Sequence, residues 1–328
     1  MPPSPHRPST LAWQVFRGSD AVRRGLVTEH QLRSSAWIRL RHDVYADARL
    51  DRDHALACRA AALRLPPEAV VAGPSAAYLH GVAHAATFAD DVHVLLPRTI
   101  RVGPQRGLRA HSVGPATTPP TAPAAVGGRP RDRVQPSARP AGGTSPALPV
   151  TAGPPPRTAP AAAAWESAVW LEPLRAVGII DALLRQGLTS RDALAETADR
   201  NADRPGGRRA RWVFGLADPG AGSPAESQLR VRLVLAGLPR PVTRHPVRLA
   251  SGLVLHPQLA WPRHRVAVEY AGRRHAATDH PQLDRHRFDQ LVGAGWLVLH
   301  ATRRRLHQEF PALLVEVRAA LAARGWRH

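Results

Sequence analysis

The chain has 328 residues, 44% of them hydrophobic, and a formal charge of +20 that rests on arginine, with no lysine present. That length allows two domains and a smaller third; no run of about 18 apolar residues marks a membrane span, "MPPSPHRPST" lacks the apolar stretch of a secretion signal, and a lone Cys58 excludes an internal disulfide or a cysteine-based zinc site. The expected location is the cytoplasm and the expected partner a polyanion, because each arginine near a phosphate releases condensed counterions.

Residues 1–15 read as a flexible tail. The stretch "SDAVRRGLVTEHQLRSSAWIRLRHDVYA" then reads as three short helices and a strand. Ser19 is placed to cap the first helix, which stops at Gly25. Thr28 caps the second, with Gln31 at the reciprocal position of a capping box. Ser34 or Ser35 caps a third carrying Trp37, Ile38 and Leu40, before the strand-like Val44 and Tyr45. This order predicts a winged helix-turn-helix over 16–50, with Arg33, Arg39 and Arg41 at its third helix and wing, where phosphates and guanine edges are met. A small helical bundle with a solvated arginine face is the competing reading.

Residues 51–112 continue as a strong helix over 51–65, a short helix ending at Gly81, and strands in "DDVHVLLPR" and "GLRAHS". The 113–146 stretch, rich in Pro, Ala and Gly, cannot bury enough apolar surface to offset its ordering entropy and is expected to be a disordered insert. "ALPVTA" at 147–152 reads as a strand resuming after it. Helices follow at about 161–172, 173–186 and 189–200, and "DRPGGRR" marks a hinge, so 205–219 reads as a linker. From Ser223 the pattern is helix, three strands (241–249, 252–260, 264–270), helix (279–294), strand and helix, which predicts a mixed sheet flanked by helices over 220–325. The fold class expected for the whole is α/β and α+β.

The order and signature positions of 220–325 resemble the PD-(D/E)XK nuclease superfamily, and most closely its very-short-patch-repair-like endonuclease domains. The residues that carry the resemblance are Glu226 on the first helix, Pro257-Gln258 ahead of Trp261, Glu269-Tyr270-Ala271-Gly272 ending the next strand, and His275 after two intervening residues. The resemblance implies a catalytic centre at Glu226, Gln258, Glu269 and His275, with DNA contacts from Arg273 and Arg274. Such a centre uses Mg²⁺, which prefers hard oxygen ligands in octahedral geometry and lowers the pKa of a bound water. Here Gln258 and Ala271 stand where the family carries carboxylates, and the motif lysine is missing. Only Glu226 and Glu269 remain as potential metal ligands. Each also has a structural explanation: Ser223 and Glu226 form a capping box, and Glu269 closes an apolar strand, where a carboxylate needs a cation, an arginine being one. His275, His280 and His286 have no zinc-site spacing. Asp284, Arg285, Arg287 and Asp289 read as solvated pairs on a helix. From residue 204 onward, 21 arginines face 8 acidic residues, an excess of 13 positive charges.

Residues 16–111, on "FRGSDAVRRGLVTEHQLRSSAWIRLRHDVYA" and "LPPEAVVAGPSAAYLHGV", resemble the AbiEi-type antitoxins of type IV toxin–antitoxin systems. That resemblance implies promoter binding and a cognate toxin partner. The combined expectation is a DNA-binding, antitoxin-like regulator of double-stranded DNA with an impaired endonuclease-fold domain, no tightly bound cofactor and no membrane partner. An active Mg²⁺-dependent endonuclease that recruits Asp279 or Asp284 is the main alternative. A toxin-neutralising interaction module is the third.

Overall fold

A computed structural model describes residues 6–113, 155–271 and 281–327. The chain forms two compact units, Met1–Ala163 and Ala164–His328. Among the described residues the fold is mixed α and β, with small sheets and eleven helices, and no helix is long and apolar enough to cross a membrane.

The first unit opens with β1 (Val15–Arg17) and α1 (Gly18–Arg23), followed by a 3-10 turn at Gln31–Arg33, β2 (Trp37–Arg41) and β3 (Val44–Asp47). The strands form an antiparallel sheet in the order β1-β3-β2. The expected third helix is therefore a strand: Ile38 pairs with Ala46 and Arg39 with Tyr45. The two residues His42 and Asp43 make the hairpin turn, with Asp43 at a φ of 59°, a left-handed conformation that Asp tolerates. Asp43 also corrects the first cap. Ser19 caps nothing; its backbone N–H and hydroxyl both donate to the Asp43 carboxylate at 2.7 Å. The Thr28–Gln31 capping box does form, with Thr28 N–H donating to Gln31 Oε1 at 2.8 Å and Gln31 N–H to Thr28 Oγ1 at 3.2 Å, but it opens only the 3-10 turn. The expected flexible tail is packed from Leu11 onward. Leu11 is fully buried in a cluster with Phe16, Val27, Leu32 and Trp37, and Trp13 N–H donates to Asp47 at 2.9 Å.

The unit continues with α2 (His54–Ala62), capped by Asp53, then β4 (Val70–Val71), α3 (Gly73–Leu79), β5 (Val92–Pro97) and β6 (Leu108–Val113). β5 pairs antiparallel with β4 and parallel with β6. The chain returns at 156–158, where Val71 N–H donates to Pro156 O and Thr158 N–H to Val71 O. Past Val113, the expected insert to 146 and the strand at 147–152 lie outside the described residues.

The second unit carries α4 (Pro160–Trp170, beginning at the unit boundary), α5 (Pro173–Arg185), α6 (Arg191–Arg200), α7 (Gly207–Leu216) and α8 (Pro224–Leu235). The stretch read as a linker over 205–219 is thus mostly α7. Gly206, just before the helix, takes a φ of 91°, and close packing also selects glycine: a Cβ on Gly206 would meet Val169 Cγ1 at 2.6 Å and one on Gly207 would meet Ala202 O at 2.5 Å. β7 (Val242–Thr243), β8 (Val247–Arg248), β9 (Val254–Leu255), β10 (Leu259–Trp261) and β11 (Val266–Ala271) follow, then α9 (Pro281–Gly293), β12 (Leu297–Thr302), α10 (Arg303–His307) and α11 (Phe310–Ala323). The mixed sheet runs β12-β11-β10-β7, with β11 and β12 parallel and the other pairs antiparallel. Three expected strands are five short ones, because Arg244 takes a φ of 48° and Pro246 interrupts the first; β8 and β9 pair apart from the main sheet. Leu229 and Leu233 of α8, Val266 and Val268 of β11, and Leu313 and Val317 of α11 close one face of the sheet.

Candidate functional site

In the second unit, α8, β10 and β11 bring together Glu226, Gln258 and Glu269. Ser223 caps α8, accepting the Glu226 N–H at 3.3 Å. The Glu226 carboxylate reaches back, accepting Gly222 N–H at 2.8 Å and Ser223 Oγ–H at 3.0 Å. Ser223 therefore caps the helix as expected, while the reciprocal bond from Glu226 goes to the Gly222 N–H instead of the Ser223 N–H of a full capping box, and Glu226 is only 7% exposed. Gln258, just before β10, lies beside Tyr270 of β11. Its side-chain carbonyl accepts Tyr270 N–H at 2.5 Å, and its amide faces Tyr270 O at 3.5 Å. The amide thus extends the strand pairing as a polar clip. Its oxygen faces the backbone.

Glu269 accepts Gln258 N–H at 3.3 Å and lies 3.8 Å from Arg287 of α9. Burial pushes its carboxyl up to about 7, against the pull of Arg287 and of the Gln258 N–H; Glu226 adds to the rise and Arg244 opposes it. The Glu226 charge is therefore felt at Glu269. Arg287 is anchored by donating to His256 O at 2.5 Å. Arg244 donates to Gly220 O at 2.9 Å, and a Cβ on Gly222 would come within 2.5 Å of Arg244 Nη2 and 3.2 Å of Glu226 Oε1. Two guanidinium groups thus supply the positive charge around this carboxylate pair. Beside Glu269, a hollow of about 110 Å³ is lined by Tyr270, Ala271, Arg287, Phe288, Leu291 and His300, with the Phe288 and His300 rings stacked at 4.9 Å. Ala271 is exposed at its edge and brings no ligand atom.

These residues do not fit a divalent cation. Mg²⁺ needs several oxygen ligands free to face it. Here one carboxylate is engaged as a helix cap, the second has an arginine beside it, and the only amide oxygen is bonded to the backbone. Among the described residues no three His, Cys, Asp or Glu side chains are grouped to hold a metal ion. His275, Arg273, Arg274, Asp279 and His280 lie outside the described residues, as does the side chain of Asp284. Arg287 is better placed than its sequence reading as a solvated helix residue implied. No local pattern announces its partner, because the contact joins α9 to β11 across the fold.

The first unit holds a separate groove of about 530 Å³ between α1, the 31–33 turn and the β2–β3 hairpin. Arg23, Arg33 and Arg39 line it, with Ser19, Glu29 and Asp43. All three arginines are exposed. Burial works against ionisation of Asp43, but the two Ser19 donors and Arg17 outweigh it and hold the carboxyl below its ordinary range. Arg41 does not join this groove. A register shift between Arg39 and Arg41 separates them, and the Arg41 guanidinium donates to Arg106 O at 3.1 Å and Gly107 O at 2.7 Å. Sequence reasoning grouped Arg33, Arg39 and Arg41; the structure groups Arg23, Arg33 and Arg39. Arg23 was the residue missed, and its signal was its place on the helix just before the turn.

No protein-family model and no solved structure matches the chain. Two similar proteins, "Uncharacterized protein Rv2248" and "Uncharacterized protein MT2308", come from two strains of Mycobacterium tuberculosis. Each is 31% identical over 175 residues, covering 52% of this chain and 60% of the relative's length.

Proposed function

We propose that the protein is an antitoxin-like regulator that binds double-stranded DNA and keeps a nuclease-type sheet without a working metal centre. The observation that carries this reading is the setting of Glu269: its counter-charge is the protein's own Arg287, and the neighbouring ligand position is a glutamine clipped to the backbone. A sheet so arranged retains a basic surface and lacks the means to activate water. The first unit supports a DNA-reading role through its β2–β3 hairpin set beside α1 and the 31–33 turn, the arrangement of a small wing, and through the three arginines in the groove between them. Phosphate contacts there fix position, and an arginine that reaches a guanine edge reads sequence. An active endonuclease is the second reading. It is favoured by the closeness of Glu226 to Glu269, whose carboxyl the Glu226 charge helps to push up.

The arginine assignment makes a specific test. Arg39→Ala should weaken binding to a duplex carrying the protein's own promoter by about 1–3 kcal/mol, the range for a lost bidentate base contact. Arg41→Ala should leave binding close to that of the parent and lower the melting temperature instead, because it frees two backbone carbonyls. Fluorescence anisotropy and thermal melting on both variants separate the two roles. Equal loss of affinity in both would contradict the groove.

A further inference from the structure

Helix α7 has a face that the fold leaves uncovered. Its sequence, GRRARWVFGL, buries Gly207, Ala210 and Val213 at a helical spacing of three. Arg208, Arg211, Trp212 and Gly215 recur at i, i+3, i+4 and i+7, so they share one side of the helix, and all four are exposed. The helix is firmly seated. Gly206 and Gly207 pack against Val169, Asn201 and Ala202, and Arg209 donates to the carbonyls of Ala168 and Leu171 at 3.1 and 2.6 Å.

Trp212 is 45% exposed. The other tryptophan exposed to a similar degree, Trp13, has the Arg49 guanidinium 4.2 Å above its ring. Among the described residues no cation covers the Trp212 ring. Positive charge runs along the same side. Arg208 stands in the first turn. Arg211 follows, paired among the described residues with Asp199 at 2.9 Å, both ends of the pair exposed, so that water and salt readily open it. Arg240 closes the far end, donating to Gly215 O at 2.6 Å.

We propose that this face of α7 binds single-stranded nucleic acid, with Trp212 stacked on an unpaired base and Arg208 and Arg211 meeting the flanking phosphates. Arginines alone serve a duplex, whose phosphates lie outside and whose base faces are covered by their neighbours. A flat ring projecting between arginines finds an open π-face only on a base that has left its stack, and such stacking is tolerant of sequence. An acidic protein surface satisfies the guanidinium groups and leaves the ring without a partner of matching shape. This surface is distinct from the arginine groove of the first unit and from the Glu269 centre, and it stands without either.

The test uses the full chain, a short labelled oligo(dT) strand and a duplex of the same length. Oligo(dT) should quench tryptophan fluorescence, and Trp212→Phe should remove most of that quenching while keeping most of the affinity. Trp212→Ala should weaken oligo(dT) binding about tenfold, in the range of one lost base–aromatic stack, and leave duplex binding unchanged. Arg208→Ala with Arg211→Ala should flatten the salt dependence of oligo(dT) binding. Thermal melting of each variant guards against a loss of fold, which the exposure of these side chains makes small. The proposal fails if oligo(dT) does not bind, if Trp212→Ala binds it like the parent, or if that variant loses equally on strand and duplex. It fails equally if polyglutamate binds with the same dependence on Trp212.

Discussion

Affinity for duplex DNA will fall by about three orders of magnitude or more as salt rises from roughly 50 to 200 mM, the loss expected of a protein that displaces several counterions. The reason lies in the distribution of charge. From residue 204 onward 21 arginines face 8 acidic residues, and several of those acids are already paired: Glu309 with Arg304, Glu316 with Arg305 and Glu269 with Arg287. Arg211 and Arg230 are paired with Asp199 and Asp181, but arginine still outnumbers acid by a wide margin, which leaves net positive charge for a polyanion. In the first unit Arg23, Arg33 and Arg39 add to the same term. Titration of labelled duplex across the salt range gives the slope directly, and a flat response would rule out a phosphate-driven interface.

The second large effect is on stability. Arg230→Ala should destabilise the second unit by about 3–5 kcal/mol, the usual result of leaving a buried charge without its partner. Arg230 is 1% exposed and Asp181 0%, and they pair at 2.7 Å. The guanidinium also donates to Leu216 O, and Asp181 accepts Asp218 N–H at 2.6 Å. One ion pair thus ties α5 to α8 and to the end of α7. Burial raises the Asp181 carboxyl's affinity for a proton despite Arg230 and the Asp218 N–H, so removing the arginine leaves an acid that is costly to ionise where it stands. At about 2–4 °C per kcal/mol for a unit of this size, the thermal transition should drop by roughly 6–20 °C. Arg230→Met combined with Asp181→Leu should recover most of that loss, since apolar groups of similar volume replace buried pairs at little cost. Scanning calorimetry on the three proteins checks both points. An alanine variant melting within a degree or two of the parent would contradict the role assigned to the pair.

How much of this was legible in the sequence depended on how local each determinant is. The start of α8 was readable because Pro224, Ser223 and Glu226 act within one turn, and the cap forms as their spacing requires. The Thr28–Gln31 box was equally readable, but a capping box fixes where a helix begins and not how far it runs. "AWIRLRHDVYA" misled because its apolar residues suit a helix and a strand alike. The deciding feature was the turn at His42 and Asp43, where Asp43 takes a left-handed conformation and pins Ser19. "PGG" misled for a different reason. Glycines signal a break in a sequence, yet here Gly206 takes a φ of 91° to start the helix and both Gly206 and Gly207 leave room for Val169 and the Ala202 carbonyl. At the candidate centre, the want of a carboxylate at Gln258 and Ala271 could be read from residue identity, and an arginine beside Glu269 was one of the outcomes anticipated. That the arginine is Arg287, and that Gln258 bonds to Tyr270, depends on strand register and on the path of α9, which no short stretch encodes.

The central claim is that the protein holds DNA without cutting it. The direct test is to incubate unmodified protein with supercoiled plasmid at low salt, where it is bound, and to add Mg²⁺ or Mn²⁺. The account predicts that the plasmid shifts in mobility with protein and remains supercoiled after the protein is removed, with Glu269→Ala indistinguishable from the parent. Metal-dependent nicking or linearisation by the parent, abolished in Glu269→Ala, would contradict it.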